Sequence, residues 1–183
     1  MRFIAIKNVS SYNDIVVSLF KSLVGNNLKY ENIEDELVIY FNYENVLEIK
    51  DLLKAFEGEA LVSIKAYISK DSTEEEIKKE YIIHNYFIND LKPGVYDLKE
   101  ALINADLVIN KREILNYILD NTGVSTSFIK EFVSYDLNVS RASKEMYIHR
   151  NTMNYKLDKL REMSGFDLRV FKDAYILYML VEK

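Results

Sequence analysis

Residues 138–160 read NVSRASKEMYIHRNTMNYKLDKL, from Asn138 to Leu160, and this stretch has the pattern of two helices joined by a four-residue turn. Asn138 is a good N-cap residue, because its side chain accepts from the free N–H groups of a first turn. After it, Val139, Ala142, Ser143 and Met146 recur at i, i+3, i+4 and i+7, which is one face of a helix. The small pair Ala142 and Ser143 lets a second helix cross closely. A second apolar stripe follows at Met153, Leu157 and Leu160. At about 100° per residue, Asn151 and Tyr155 lie opposite that stripe, flanked by Asp158 and Lys159. A short helix, a tight turn and a helix with a hydrogen-bonding outer face is the layout of a helix-turn-helix DNA reader. Periodicity alone also fits any amphipathic helix pair, so the identity of the residues decides.

Tyr147-Ile148-His149-Arg150-Asn151-Thr152, followed by Tyr155-Lys156-Leu157, resembles the C-terminal helix-turn-helix of the PucR/CdaR family of bacterial transcription regulators. That family carries an N-V-S…A…L-Y-V-H-R-N-T-L-x-Y-R-L signature. Asn138, Val139, Ser140, Ser143, Met146 and the run from Tyr147 to Met153 fall on it in register, as do Tyr155, Lys156 and Leu157, several as conservative replacements. The resemblance spans about Phe128 to Val181, roughly a third of the chain. It implies a cytoplasmic, sequence-specific transcription regulator, not an enzyme, with an α+β N-terminal domain followed by an all-α DNA-binding domain. It also implies double-stranded DNA as partner and a small-molecule effector of unknown identity. Members often have an effector-sensing domain upstream, which this chain is expected to lack.

Composition agrees with a packed protein. Of 183 residues, 49% are hydrophobic, and five Gly with one Pro leave little room for long flexible loops. Zero Cys excludes disulfides, thiolate metal sites and cysteine catalysis, and fits a reducing cytosol. His84 and His149 are the only histidines, so a His-rich metal centre is excluded, and no cofactor is expected. The longest apolar run, near Ala174–Val181, falls far short of the roughly 18 residues that cross a bilayer. Met1 to Ile6 gives way to polar Lys7-Asn8, too short for a signal peptide.

A net charge of −5 looks wrong for a DNA binder, but its distribution matters more than its sum. Residues 1–110 carry 12 basic and 19 acidic side chains, whereas residues 111–183 carry 12 and 10. Within Asn138–Glu162 the count is 6 basic against 3 acidic. That local excess is modest, and it favours a homodimer in which two weak electrostatic footprints combine on one duplex.

The charge shift places a domain boundary near residues 106–112, giving an α+β domain over 1–108 and a helix-turn-helix domain over 109–183. Strands are expected at Phe3–Ile6, Leu28–Glu31, Glu36–Phe41 and Ala60–Ile68. Helices are expected at Tyr12–Val24, Glu44–Phe56 (closed by Gly58) and Thr73–Leu91, before a turn at Pro93-Gly94. The order β-α-β-β-α-β-α suggests an antiparallel sheet with helices on one face. Together with Ile33-Glu34-Asp35-Glu36-Leu37 at the hairpin, it resembles the degenerate GGDEF-like domain that precedes the helix-turn-helix in PucR/CdaR regulators. Asp35-Glu36-Leu37 sits where a nucleotide cyclase has Asp-Glu-Phe, but Ile33 and Glu34 replace its two glycines. Those side chains bar the nucleotide from the backbone, so the domain is expected to be catalytically silent.

Other chemistry is thin. Glu74-Glu75-Glu76 is a charge cluster at a helix N-terminus, and His84 a packing or surface residue beside Tyr81, Tyr86 and Phe87. No P-loop or glycine-rich nucleotide fingerprint is present. On the DNA side, Arg150 and Asn151 stand where a recognition helix enters the major groove, able to make bidentate contacts to guanine and adenine. Thr152 can place its hydroxyl and N–H on a phosphate. His149 is an N-cap or a phosphate contact. Asn154, Tyr155 and Lys159 are the next outward candidates, Tyr155 having packing against a neighbouring helix as its alternative. Lys156, Arg141 and Lys144 hold the DNA backbone, and Tyr147, in the turn, is expected to pack. Ala174–Val181 is apolar on every side. Phe171, Ala174, Tyr175 and Tyr178 are expected to cover the domain core, leaving Ile176, Leu177, Leu180 and Met179 for a dimer partner. The alternative is burial of that second face inside the monomer, against helices at 111–121 and 128–135. A protein-interaction module that uses the helix-turn-helix fold without specific DNA binding is the alternative function.

Overall fold

A computed structural model describes residues 1–105 and 110–182, which form two compact units, 1–106 and 107–183. The expected boundary between 108 and 109 lies outside the described residues.

In the first unit the elements run β1 (Arg2–Lys7), α1 (Asn13–Val24), β2 (Lys29–Ile33), β3 (Glu36–Phe41), α2 (Val46–Ala60), β4 (Lys65–Ile68), α3 (Glu74–His84), β5 (Gly94–Tyr96) and α4 (Leu98–Asn104). The sheet order is β2-β3-β1-β4-β5. β1 is antiparallel to both β3 and β4, and β2 and β3 form a hairpin in which Ile33 faces Glu36. Each of α1 and α2 therefore joins two parallel strands that have another strand between them, the split β-α-β arrangement of ferredoxin-like sheets. β5 adds a parallel edge beside β4, so the sheet is mixed.

Helices cover both faces of this sheet, not one. On one face Ile4, Ile6, Leu37, Ile39, Phe41 and Ile68 pack against Val16, Val17 and Phe20 of α1 and Ile49, Leu53 and Phe56 of α2. On the other, Phe3 and Tyr67 meet α3, with the Phe3 ring 5.6 Å from Tyr81 and the Tyr67 ring 5.6 Å from His84. The sequence sign was the unbroken runs Phe3-Ile4-Ala5-Ile6 and Leu37-Val38-Ile39, all buried. A strand with one wet face alternates, whereas a strand covered on both sides does not.

Several element bounds differ from expectation for local reasons. α2 runs through Gly58 and stops at Leu61, which takes φ +53°, so β4 begins only at Lys65. α3 starts on a capping box between Thr73 and Glu76, then gives way after His84 to tight turns that bury Phe87, Ile88 and Leu91. A second capping box, Asp97 with Glu100, opens the unexpected α4.

The second unit is all-helical: α5 (Lys111–Leu119), α6 (Thr126–Ser134), α7 (Val139–Glu145), α8 (Arg150–Ser164) and α9 (Phe171–Val181). Ile114, Ile118, Ile129, Phe132, Ala142, Met153, Leu157 and Leu160 form its interior. The reading of α9 holds for Ala174, which is buried as expected, but fails at most of its other positions. Ile176, Leu177 and Leu180 are buried within the unit, where α9 lies against α5 and α6, while Phe171, Tyr175 and Met179 face outward. The face assigned to a dimer partner is thus core except at Met179, because α5 and α6 supply the apolar surface it needs. No helix among the described residues is long and apolar enough to cross a membrane.

Candidate nucleic-acid interface

Asn138 caps α7 by accepting from the Arg141 N–H at 3.0 Å. Ala142 and Ser143 are buried where α7 and α8 cross, and the Ser143 hydroxyl is satisfied by the Ser140 carbonyl at 3.0 Å. Small side chains there bring the two backbones close enough for α8 to be held by its Met153, Leu157 and Leu160 stripe.

The turn between them is residues 146–149. The Ile148 N–H donates to the Ser143 carbonyl at 2.9 Å and the Tyr147 N–H to the Lys144 carbonyl at 3.2 Å. These paired bonds make a Schellman C-cap, and Tyr147 holds its left-handed position at φ +53°, where glycine is usual. An L-residue there costs roughly 1–2 kcal/mol relative to glycine. Tyr147 is also 96% exposed. The expectation that it packs is therefore wrong: the left-handed turn points its ring away from the core.

His149 then caps α8, its Nδ1 accepting from the Asn151 N–H at 3.2 Å. Arg150, Asn151 and Thr152 are exposed on the first turn, and Tyr155 is 64% exposed one turn further along. Tyr155 therefore does not pack against a neighbouring helix. Asn154 is half-buried beside them. Lys144 is exposed at the end of α7, and among the described residues neither it nor Arg150 is in an ion pair. The structure thus gathers Lys144, His149, Arg150, Asn151, Thr152 and Tyr155 around the start of α8.

Of the other three basic candidates, Arg141 and Lys156 have local partners. Arg141 pairs with Asp136, and its guanidinium stands 5.9 Å from the Tyr135 ring centre. Lys156 is half-buried, donates to the Gly123 carbonyl at 3.2 Å and lies 5.7 Å from the centre of the Phe128 ring. Lys159 is half-buried and also reaches toward Gly123. An ammonium carries three N–H donors, so one bond to Gly123 leaves Lys156 able to meet a phosphate at the flank.

Charge on α8 is managed by a residue outside it. Arg169 bonds Asp158 at 2.8 Å and grips Asp167 through two contacts of 2.8 and 2.9 Å. Burial pushes the Asp167 carboxyl up, but the hydrogen bonds and charge of Arg169 outweigh it and hold the group below its ordinary value. Sequence reasoning did not find Arg169, which lies past the end of α8 in the loop before α9, where helical periodicity does not apply.

A second polar cluster lies in the first unit. His84, fully buried, faces Glu36 at 3.1 Å through Nε2 and also contacts the Tyr81 carbonyl. The Tyr81 hydroxyl donates to the same Glu36 oxygen at 3.1 Å, and Lys7 stands 3.7 Å from the other. Glu36 is thereby committed inward to α3. Among the described residues no group of three or more His, Asp or Glu is placed to hold a metal.

Residues 127–182 match the PucR C-terminal helix-turn-helix domain. The chain is 27% identical over 146 residues to protein YxkF of Bacillus subtilis (strain 168), covering 73% of this chain and 49% of that protein. It is 29% identical over 148 residues to the proline-responsive transcriptional activator PutR of the same organism, covering 77% and 33%. The chain thus spans about half the length of the first relative and a third of the second. Its fold is similar to a regulator of polyketide synthase expression from Bifidobacterium adolescentis, with a TM-score of 0.51 and 15% identity, over 98% of this chain and 77% of that one.

Proposed function

Because residues 127–182 form a PucR-type helix-turn-helix domain, we propose that the chain is a sequence-specific transcription regulator that reads the major groove with α8. The observation that carries this is the exposed, unpaired Arg150 beside exposed Asn151 on the first turn of α8, on a helix whose opposite side is locked by Met153, Leu157 and Leu160. Arg and Asn are the side chains that read guanine and adenine edges bidentately. Thr152 and Lys144 hold phosphates, and Lys156 and Lys159 do so from the flank. The charge excess of one copy is small, so two copies bind one duplex, with half-sites about 34 Å apart. Selection of duplexes from a random pool should return a consensus with two-fold symmetry. Recovery of no enriched sequence, with binding indifferent to salt, contradicts the reading.

A protein-interaction role is the second reading, favoured by the apolar outer side of α9, where Phe171 is 76% exposed. It predicts no salt-sensitive affinity for any duplex.

A further inference from the structure

We propose that Tyr147 is a DNA-backbone contact, its phenol donating a hydrogen bond to a phosphate beside the groove that α8 enters. This rests on the DNA-reading assignment above and adds a residue that assignment had set aside. Two features of Tyr147 are unfavourable to the isolated protein. Its backbone is left-handed at a Schellman position that glycine fills without strain. Its ring is almost wholly in water, so burial returns nothing. Among the described residues its hydroxyl has no hydrogen-bond partner, and the same backbone with glycine would be less strained. Strain held at an exposed residue without local compensation points to a function for that residue.

The surroundings say what the phenol meets. Tyr147 stands in the short turn between Lys144, the last basic residue of α7, and His149-Arg150, the cap and first residue of α8. Lys144, His149 and Arg150 are all exposed, with Glu145 the one acid of the segment. A phosphate drawn to these groups accepts strongly from a neutral O–H, and tyrosine hydroxyls are among the ordinary donors to DNA phosphates. A neutral donor at the backbone adds affinity without reading sequence and without displacing a counterion.

The test uses the full chain and a duplex chosen by selection, with binding isotherms at several salt concentrations for wild type, Tyr147→Phe, Tyr147→Gly and Arg150→Ala. Tyr147→Phe should lower affinity roughly three- to tenfold on matched and mismatched duplexes alike, leaving the salt dependence unchanged. Tyr147→Gly should lose at least as much while melting no lower than wild type. A Phe variant that equals wild type on every duplex overturns the inference, including the case in which only the Gly variant loses affinity and the ring packs on the DNA without use of its hydroxyl. If Arg150→Ala loses base preference in that same experiment, the DNA-reading assignment survives alone. A wild-type chain with no salt-sensitive affinity for any duplex removes both.

Discussion

Arg169 holds Asp158 at 2.8 Å and so neutralises the first acidic residue of α8, two turns past the residues proposed to read bases. A carboxylate left free on that helix would repel the phosphates that Lys144 and Arg150 attract. The same guanidinium fixes the 165–170 loop through Asp167, and the Asp167 N–H in turn donates to buried Asp173 of α9 at 2.8 Å. One side chain thus serves both the surface charge of α8 and the seating of α9.

Replacement of Arg169 by Gln should accordingly have two effects. DNA affinity should fall at low salt, since Arg161 at 3.7 Å then meets the half-buried Asp158 carboxylate alone, and the deficit should close as salt screens that charge. Thermal melting of the second unit should also drop, since the loop loses its fork. Unchanged affinity at every salt concentration contradicts the assigned role.

Lys144→Ala and Lys156→Ala should weaken binding to all duplexes alike and each reduce the salt slope by about 1. Lys156→Ala should further cost some stability, because its ammonium also bonds Gly123 and covers the Phe128 ring. Binding isotherms over a salt series, with a denaturation curve for each variant, separate the two.

The burial of Leu177 makes α9 a core element. Leu177→Ala should destabilise the second unit by about 2–5 kcal/mol in chemical denaturation. Phe171→Ser should stay within about 0.5 kcal/mol of wild type, because its ring is in water. The reverse ranking contradicts the packing described.

Glu36 makes the first unit sensitive to acid. Burial raises its carboxyl, but the His84 hydrogen bond and charge, with Tyr81 and Lys7, overcome this and hold it below the ordinary value. A depressed folded value stabilises at pH above the unfolded carboxylate value of about 4.3 and is lost as pH falls through the folded one. Stability of the first unit should decline below about pH 4. Glu36→Ala should cost about 3–5 kcal/mol by stripping buried His84 of its partner. It should also flatten that acid limb. With Glu36 committed to α3, incubation with GTP and magnesium should yield no cyclic dinucleotide.

The helix-turn-helix was legible because its caps, small crossing pair and apolar stripe are all local: Asn138, Ala142-Ser143 and Met153-Leu157-Leu160 lie within one short stretch. Four of the five strands were legible, but parallel β5 lay where only a turn was expected, and the second covered face was missed although Phe3 to Ile6 never alternates. What failed was tertiary. Ile176 and Leu177 cannot be told from Phe171 and Tyr175 by hydrophobicity, since only the positions of α5 and α6 decide which side of α9 is inside. Tyr147 was misread for a related reason. An aromatic residue suggests packing, but the left-handed cap turns it outward. The Arg169–Asp158 and Glu36–His84 pairs, 11 and 48 positions apart, each join two different elements, and the periodicity of a single element cannot show such a contact.

The most direct measurement is the affinity of wild type, Arg150→Ala and Asn151→Ala for the selected duplex and for single-base variants of it. The account predicts that each substitution costs about 1–3 kcal/mol on the matched duplex and little on duplexes already changed at the base it reads, so that preference at that position disappears. Equal affinity of all three proteins for every duplex would contradict the assignment of α8 as the recognition helix.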